Sequence, residues 1–107
     1  MAFMVQLTED VVADLAEIFN YVSRHDSPQK AEYVLGQIEK KFIGLSEMPD
    51  RGVYPRELIN IGIRDFKEIF FKPYRLIYRI DGNNFYVYLI VDGRRDMQTL
   101  LQRRLLG

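Results

Sequence analysis

Arginine residues at alternate positions are the side chains of this sequence best suited to chemistry. In residues 74–80, Arg75 and Arg79 lie on either side of Ile77, and a β-strand would place all three on one face. Guanidinium groups clustered on a sheet face bind phosphate or carboxylate through paired hydrogen bonds. The alternative is an ordinary polar face on which the arginine stems cover apolar surface. The residue pattern leaves both interpretations open.

Further basic residues flank this segment in the sequence. If the neighbouring segments are strands of the same sheet, these side chains lie near the same surface. Aromatic residues such as Tyr86 and Tyr88 could stack on bases there. We therefore predict an anion-binding or target-binding surface built from six basic residues: Arg64, Lys67, Arg75, Arg79, Arg94 and Arg95.

The net charge of the 107-residue chain is zero, but its two parts differ. Residues 1–50 contain four basic and nine acidic side chains, a net charge of −5. Residues 51–107 contain the other 11 basic side chains and six acidic ones, a net charge of +5. This distribution favours an anionic partner for the second part of the chain. Polar surface that is uneven without any partner is the alternative.

Other kinds of site have little support. The sequence has no cysteine and a single histidine, His25, so a zinc site is not expected. Nucleotide-binding glycine motifs and the nucleophile elbow of hydrolases are absent, and the acidic residues Glu57, Asp65, Glu68 and Asp92 are scattered. We expect neither a metal nor a cofactor. The chain has no signal-peptide pattern and no apolar run of membrane-spanning length, which predicts a cytoplasmic protein without membrane contact.

The elements that position these residues are predicted as one α+β domain over residues 1–107. A short strand is expected at residues 2–7, followed by a helix that Thr8 caps and that ends near residues 24–26. Ser27 and Pro28 predict the start of a second helix, antiparallel to the first. Residues 48–60 are predicted as an ordered loop.

Alternating hydrophobic residues then predict three antiparallel strands, at residues 63–71, 74–80 and 85–91. A tight turn at residues 81–84 joins the last two. The inner face of the middle strand is predicted to carry Tyr74, Leu76, Tyr78 and Ile80, covered by the helical hairpin.

The C-terminal segment is apolar and basic. Asp96 is a suitable N-cap for a short final helix that includes Met97 and Leu100. Its leucines either pack on the sheet or stay exposed and form part of a groove for a partner.

Three runs of the sequence resemble the RelE/ParE superfamily of bacterial toxins. They are Gly-Ile-Arg-Asp-Phe at residues 62–66, Tyr-Arg-Leu-Ile-Tyr-Arg-Ile-Asp-Gly at residues 74–82, and Val-Tyr-Leu-Ile-Val-Asp-Gly-Arg-Arg-Asp at residues 87–96. The order of predicted elements also matches. The resemblance implies the toxin of a type II toxin–antitoxin system, neutralised by a co-encoded antitoxin whose acidic or amphipathic C-terminal segment wraps it. Operator DNA would be contacted only through the antitoxin.

The resemblance also implies roles for individual residues. In RelE-like members, which cleave mRNA on the ribosome, basic residues position phosphate, and Lys67, Arg75 and Arg95 correspond to such positions. Antitoxin binding is expected at the C-terminal segment, through Leu100, Leu101, Arg103, Arg104 and Leu105, and at the basic sheet face.

The sequence departs from the nuclease pattern near the end of the last strand. Asp92 stands where nucleases commonly carry histidine or tyrosine, and its carboxylate would repel a scissile phosphate. No tyrosine follows Arg95. The helical hairpin and the Gly-Arg-Arg-Asp ending resemble ParE-like members, which poison DNA gyrase. We therefore favour gyrase inhibition; the alternatives are a ribosome-dependent endoribonuclease and a non-toxic homologue that only binds an antitoxin.

Overall fold

A mixed four-stranded sheet, with two long helices on one face and short helices on the other, forms the centre of the molecule. The computed structural model describes residues 4–106, except for the side chain of Pro49. The predicted α+β fold is confirmed. The elements follow in this order: β1 (Met4–Leu7), α1 (Glu9–His25), α2 (Pro28–Glu47), a 3-10 turn (Pro49–Arg51), α3 (Arg56–Ile59), β2 (Lys67–Phe71), β3 (Tyr74–Asp81), β4 (Asn84–Asp92), α4 (Met97–Leu101) and a π-helical turn (Gln102–Leu106).

Side-chain caps begin the helices as the sequence predicts. The Thr8 hydroxyl accepts a hydrogen bond from the Val11 N–H at 3.2 Å, and the Ser27 hydroxyl accepts one from the Lys30 N–H at 3.1 Å. Each cap satisfies an N–H that has no partner inside its helix. The two-residue link between the helices, residues 26–27, makes α1 and α2 an antiparallel hairpin.

The strands lie in the order β1-β4-β3-β2. Strands β2, β3 and β4 form the predicted antiparallel ladder, and β1 adds to β4 in parallel orientation. The turn between β3 and β4 contains Gly82 with a φ of 61°, a left-handed conformation that glycine adopts without strain. Residues 2 and 3 of the predicted first strand lie outside the described residues.

Two boundaries differ from the prediction. Strand β2 begins at Lys67 instead of residue 63, because the chain first makes a turn in which the Ile63 N–H donates to the Leu58 carbonyl at 2.9 Å. The predicted loop at residues 48–60 contains a 3-10 turn and α3. Both elements are too short to produce a clear hydrophobic period.

A large apolar core fills the space between the sheet and the helical hairpin. The predicted inner face of β3 is confirmed, since Leu76 and Tyr78 are buried in this core and Tyr74 and Ile80 pack against it. The helices contribute residues at helical spacing, among them Val11, Ile18, Val34, Ile38 and Phe42.

A smaller core covers part of the opposite face of the sheet. There Ile77 and Leu89 pack against Leu58 of α3 and Leu101 of α4, together with Phe66 and Met97. The strand pattern predicts that this face meets solvent, a partner or a ligand. The short C-terminal helix and α3 form a partial third layer instead.

Candidate functional site

Arg75 is the basic residue that the sequence analysis placed at the centre of an anion-binding surface. Its Nε donates to Glu68 Oε1 at 2.7 Å, while Nη1 and Nη2 donate to the two carboxylate oxygens of Glu57, both at 2.8 Å. Arg75 Nη2 is also 2.7 Å from Glu68 Oε1. Both edges of the planar guanidinium are therefore occupied by carboxylates, and no edge remains for bidentate binding of a phosphate.

The side chains of this ion cluster are largely shielded from solvent. The side chains of Arg75, Glu57 and Glu68 are 13%, 26% and 5% exposed. Hydrogen bonding to Arg75 lowers the pKa of Glu57, and both carboxylates raise the pKa of Arg75. Burial raises the pKa of Glu68, although Arg75 acts in the opposite direction. Two carboxylates around one cation leave no excess positive charge here to attract an anion.

The aliphatic part of Arg75 is also held in place. A Cβ at Gly93 would lie 2.7 Å from Arg75 Cδ and 2.9 Å from its Cγ, closer than real Cβ contacts. Glycine at the exit of β4 therefore leaves room for the arginine stem.

Lys67 does not join Arg75. Residues paired across an antiparallel ladder project to the same face, and Lys67 pairs with Tyr78, which faces the helical hairpin. The Lys67 ammonium lies 3.7 Å from Asp50 Oδ1 and 5.5 Å from the centre of the Tyr54 ring. The two residues predicted to act together in a nuclease thus lie on opposite faces of the sheet.

The other predicted cations are exposed. Arg94 pairs with Asp92, whose Oδ1 also accepts the Arg94 backbone N–H at 2.9 Å. This pairing lowers the pKa of Asp92. Arg64, Arg79 and Arg95 form no ion pair within residues 4–106, so they are the predicted cations that remain open to a partner.

The C-terminal leucines are less accessible than a docking surface requires. Leu101 is 1% exposed in the smaller core, and Leu100 and Leu105 pack against that core. Of the two alternatives for these leucines, packing on the sheet applies to Leu101, because α4 covers Ile77 and Leu89. Its predicted role as an antitoxin contact is therefore wrong. Arg103 is exposed, whereas Arg104 is bound to Asp14 of α1.

The Asp14–Arg104 pair binds backbone groups along the edge of β4 that faces away from β3. Arg104 Nη2 and Nη1 donate to Asp14 Oδ1 and Oδ2 at 2.6 and 3.0 Å, and Nη1 also donates to the Tyr88 carbonyl at 3.2 Å. Asp14 Oδ2 accepts the Ile90 N–H at 3.1 Å. A buried carboxylate, 3% exposed, thus supplies the partner that a neighbouring strand would otherwise provide.

A cleft of about 470 Å³ opens beside this pair, between the C-terminal half of α1 and the end of β4. Its apolar floor and wall include Ile18, Tyr74 and Ile90, and Tyr21 on its rim is 63% exposed. The charged side chains around the cleft are Asp14, Glu17, Asp92, Arg94 and Arg95.

Comparison with known proteins gives the family. The sequence model of the ParE toxin of type II toxin–antitoxin systems, parDE, matches residues 5–97. This chain belongs to the ParE toxin family. The match extends over β1 to the start of α4 and confirms both the predicted superfamily and the favoured branch within it.

A curated relative and a solved structure agree with this assignment. Toxin ParE3 from Caulobacter vibrioides is 30% identical over 97 residues, which are 91% of this chain and 93% of the relative. The chromosomal ParDE toxin–antitoxin system of P. aeruginosa contains a chain of the same fold, with a TM-score of 0.70 and 16% identity over 85% of this chain and 96% of that one.

The structure shows two acidic residues, Asp14 and Glu57, that pair with predicted site residues and that sequence reasoning missed. The burial of Asp14 could have been predicted from the sequence. It lies three positions after Val11 and four before Ile18, which places it on the buried face of an amphipathic helix. The position of Glu57 could not have been predicted, because it lies in a four-residue helix that the sequence pattern does not indicate. No helix among the described residues is long and apolar enough to cross a membrane.

Proposed function

We propose that this ParE-family toxin inhibits DNA gyrase and that a co-encoded antitoxin neutralises it. The family defines a toxin that has an antitoxin partner. The choice of gyrase over mRNA as the target rests on one observation: Arg75 is enclosed by Glu57 and Glu68. Catalysis of phosphodiester cleavage requires donors directed at developing charge, and those of Arg75 are directed at its own carboxylates.

The positions of the other basic residues support the same proposal. Lys67 projects from the opposite face of the sheet, so the three predicted nuclease cations do not converge. We assign the target contact to the predicted cations that form no ion pair within residues 4–106, Arg64, Arg79 and Arg95, and to Arg94, which precedes Arg95 in the turn after β4. Arg103 and the partly exposed Leu100 and Leu105 remain proposed antitoxin contacts.

A side-by-side assay of the purified protein tests the target. We expect loss of gyrase supercoiling with accumulation of cleaved DNA, while translation in a cell-free extract continues. Blocked translation with normal supercoiling would refute gyrase as the target. Harmless expression in the absence of antitoxin, with both assays unaffected, would identify a non-toxic homologue.

Arg75→Ala provides a matched variant for this assay. If the chain cleaves mRNA through Arg75, programmed ribosomes should show a loss of about a hundredfold in single-turnover cleavage, the effect of removing one electrostatic stabiliser. If Arg75 is structural, gyrase inhibition per folded molecule stays at the wild-type level. The folded fraction of each preparation is measured by circular dichroism so that the two effects are separated.

A further inference from the structure

The edge of β2 that faces away from β3 is only partly covered. Strand β2 is the last strand of the sheet on this side, and among the described residues a single bridge joins its outer edge. In that bridge Val53 and Glu68 exchange two backbone hydrogen bonds, of 2.7 and 3.0 Å. Alternate residues of a strand direct their backbone groups the same way, so the N–H and C=O of Phe70 also point outward. Neither group has a hydrogen-bond partner within residues 4–106.

The geometry of this edge limits what can pair with it. One residue of an antiparallel strand would exchange both hydrogen bonds with Phe70, in the way that Val53 does with Glu68. A second copy of the chain cannot do so through its own β2. In a symmetric pair of β2 strands centred on Phe70, residue 72 of the second copy would lie opposite Glu68, where Val53 already is. The chain turns at residues 72–73, so the open edge suits a short extended segment.

Two basic side chains lie together beside this edge. A hollow of about 200 Å³ is lined by Lys41 of α2 and Arg51 of the 3-10 turn, together with Val53 and Phe70. The Arg51 guanidinium lies against α2, since a Cβ at Gly44 would be 3.1 Å from Arg51 Nη1. Gly44 is three residues after Lys41, so the two cations lie on the same side of α2. Neither cation forms an ion pair within the described residues.

The nearby acidic groups are already bound to other cations. Glu68, the acidic residue of the lining, accepts a hydrogen bond from Arg75. Asp50, next to Arg51 in the chain, lies 3.7 Å from Lys67 Nζ. Two like charges held close together are stabilised by an anion between them. A carboxylate of a partner protein supplies such an anion.

The alternation of side chains along a strand connects the free backbone groups with the cations. Phe70 pairs with Arg75, so its side chain projects to the face of the smaller core, and it is 45% exposed. A partner residue opposite Phe70 projects to that face as well, where an apolar side chain covers Phe70 and Val53. The next partner residue projects to the face of the helical hairpin, where Lys41 and Arg51 lie. The edge thus selects an apolar residue next to an acidic one.

We propose that this edge of β2 binds an extended acidic segment of the target enzyme, with an apolar residue opposite Phe70 and the carboxylate of its neighbour between Lys41 and Arg51. The inference rests on gyrase as the proposed target. The strand that carries this edge follows Arg64, one of the cations assigned to the target. The proposed antitoxin contacts lie elsewhere, on α4 and the turn after it, which Arg104 joins to α1.

Hydrogen exchange of the wild-type chain, alone and bound to purified gyrase, tests the backbone contact. Mass spectrometry with fragmentation to single residues follows the amides of β2. We expect the Phe70 amide to slow by about tenfold or more in the complex, since it gains a hydrogen bond. The Glu68 amide is an internal control, because it is already bonded to Val53 and should change less. A Phe70 amide that exchanges equally fast in the complex would overturn the proposal.

Lys41→Glu and Arg51→Glu test the anion site, with Lys40→Glu as a matched control. Lys40 precedes Lys41 on α2 and is exposed, but it does not line the hollow. We expect the concentration that half-inhibits gyrase supercoiling to rise about tenfold for each of the first two variants and to change little for the control. Antitoxin affinity should stay at the wild-type level in all three. Equal inhibition by the three variants would contradict the proposal.

A pair of substitutions at Phe70 isolates the hydrogen bonds. Phe70→Ala and Phe70→Pro both lose the ring, but only the proline variant loses the N–H, and an edge strand accepts proline where its N–H faces outward. We expect inhibition about tenfold weaker for Phe70→Pro than for Phe70→Ala, the effect of one hydrogen bond and a blocked edge. Equal inhibition by the two folded variants would argue against strand addition. If the proline variant does not fold, the exchange experiment decides.

The same variants identify a different occupant of this edge. Weaker antitoxin binding by Arg51→Glu with unchanged gyrase inhibition would assign the edge to the antitoxin and refute the proposal. A wild-type dimer in sedimentation that Arg51→Glu dissociates would assign it to a second copy, with the same consequence. A wild-type chain that leaves gyrase active would refute the gyrase target and this inference together. Wild-type inhibition that none of the variants weakens would refute this inference alone.

Discussion

The two faces of the sheet are built on different principles, although the same strand supplies both. On the side of the helical hairpin, Leu76 and Tyr78 lie in a continuous apolar core. On the other side, Arg75 is held by two carboxylates and Ile77 belongs to a smaller core under α3 and α4. Neighbouring residues of β3 thus differ in whether apolar packing or ion pairing fixes them. A basic residue on a sheet face is therefore not by itself a ligand site.

The largest losses of stability are expected from two adjacent substitutions, one on each face of the sheet. Leu76→Ala should cost about 4 kcal/mol of unfolding free energy and Ile77→Ala about 3 kcal/mol, because a cavity costs most where its surroundings cannot close. Both residues are fully buried, but the long helices α1 and α2 are less able to move than the short α3 and α4. Urea unfolding of the two variants checks the order. A larger loss for Ile77→Ala would mean that the smaller core is the more rigid one.

Removal of the Arg75 guanidinium tests whether the ion cluster is structural. Arg75→Met should lower the unfolding free energy by about 3 kcal/mol, because Glu68 and Glu57 then share a site without a cation. Arg79→Met, four residues further along β3 on the same face but exposed, should change it by less than about 0.5 kcal/mol. Similar unfolding curves for the two variants would show that Arg75 does not hold this face together.

The smallest effect is a difference in pH dependence between the two carboxyls that hold Arg75. The pKa of Glu57 is lowered, so its contribution to stability is present at neutral pH and is lost as the pH falls. The pKa of Glu68 is raised, so its contribution is present at low pH and is lost as the pH rises through that pKa.

Comparison with glutamine variants makes this difference measurable. As the pH is lowered from about 7 to about 4, where carboxyls titrate, the stability advantage of wild type should shrink relative to Glu57→Gln and grow relative to Glu68→Gln. Urea midpoints across this range give the two slopes. Slopes of the same sign would indicate that Glu68 is ionised as readily as Glu57.

Short sequence patterns correctly predicted those features of the fold that depend on interactions between residues close in sequence, such as helix caps and strand faces. Thr8 and Ser27 cap their helices, and strand alternation assigned Leu76 and Tyr78 to the buried face. The alternation of residues along a strand indicates which side chains share a face, but it does not indicate which element covers that face. The partner of Arg75 is Glu57, 18 positions away on a helix too short to detect, and that pairing depends on tertiary packing.

The same reasoning explains why the sequence could not show which of the predicted basic residues lie on another face or are already paired. Lys67 was assigned to a strand beginning at residue 63, and its face depends on the exact register with β3. Arg104 looked like a surface cation, but it reaches Asp14 across 90 positions of sequence. Long-range ion pairs of this kind leave no periodic pattern in the sequence.

The close contact between Gly93 and the Arg75 stem links a position in the turn after β4 with one on β3. Since a Cβ at residue 93 would overlap Arg75 Cδ, a side chain at residue 93 requires either a shorter residue at position 75 or a shift of the arginine stem. Across the family, we expect a side chain larger than glycine at position 93 to coincide with a shorter residue at position 75. An alignment in which long side chains occur at both positions would show that the backbone at the end of β4 shifts to accommodate them.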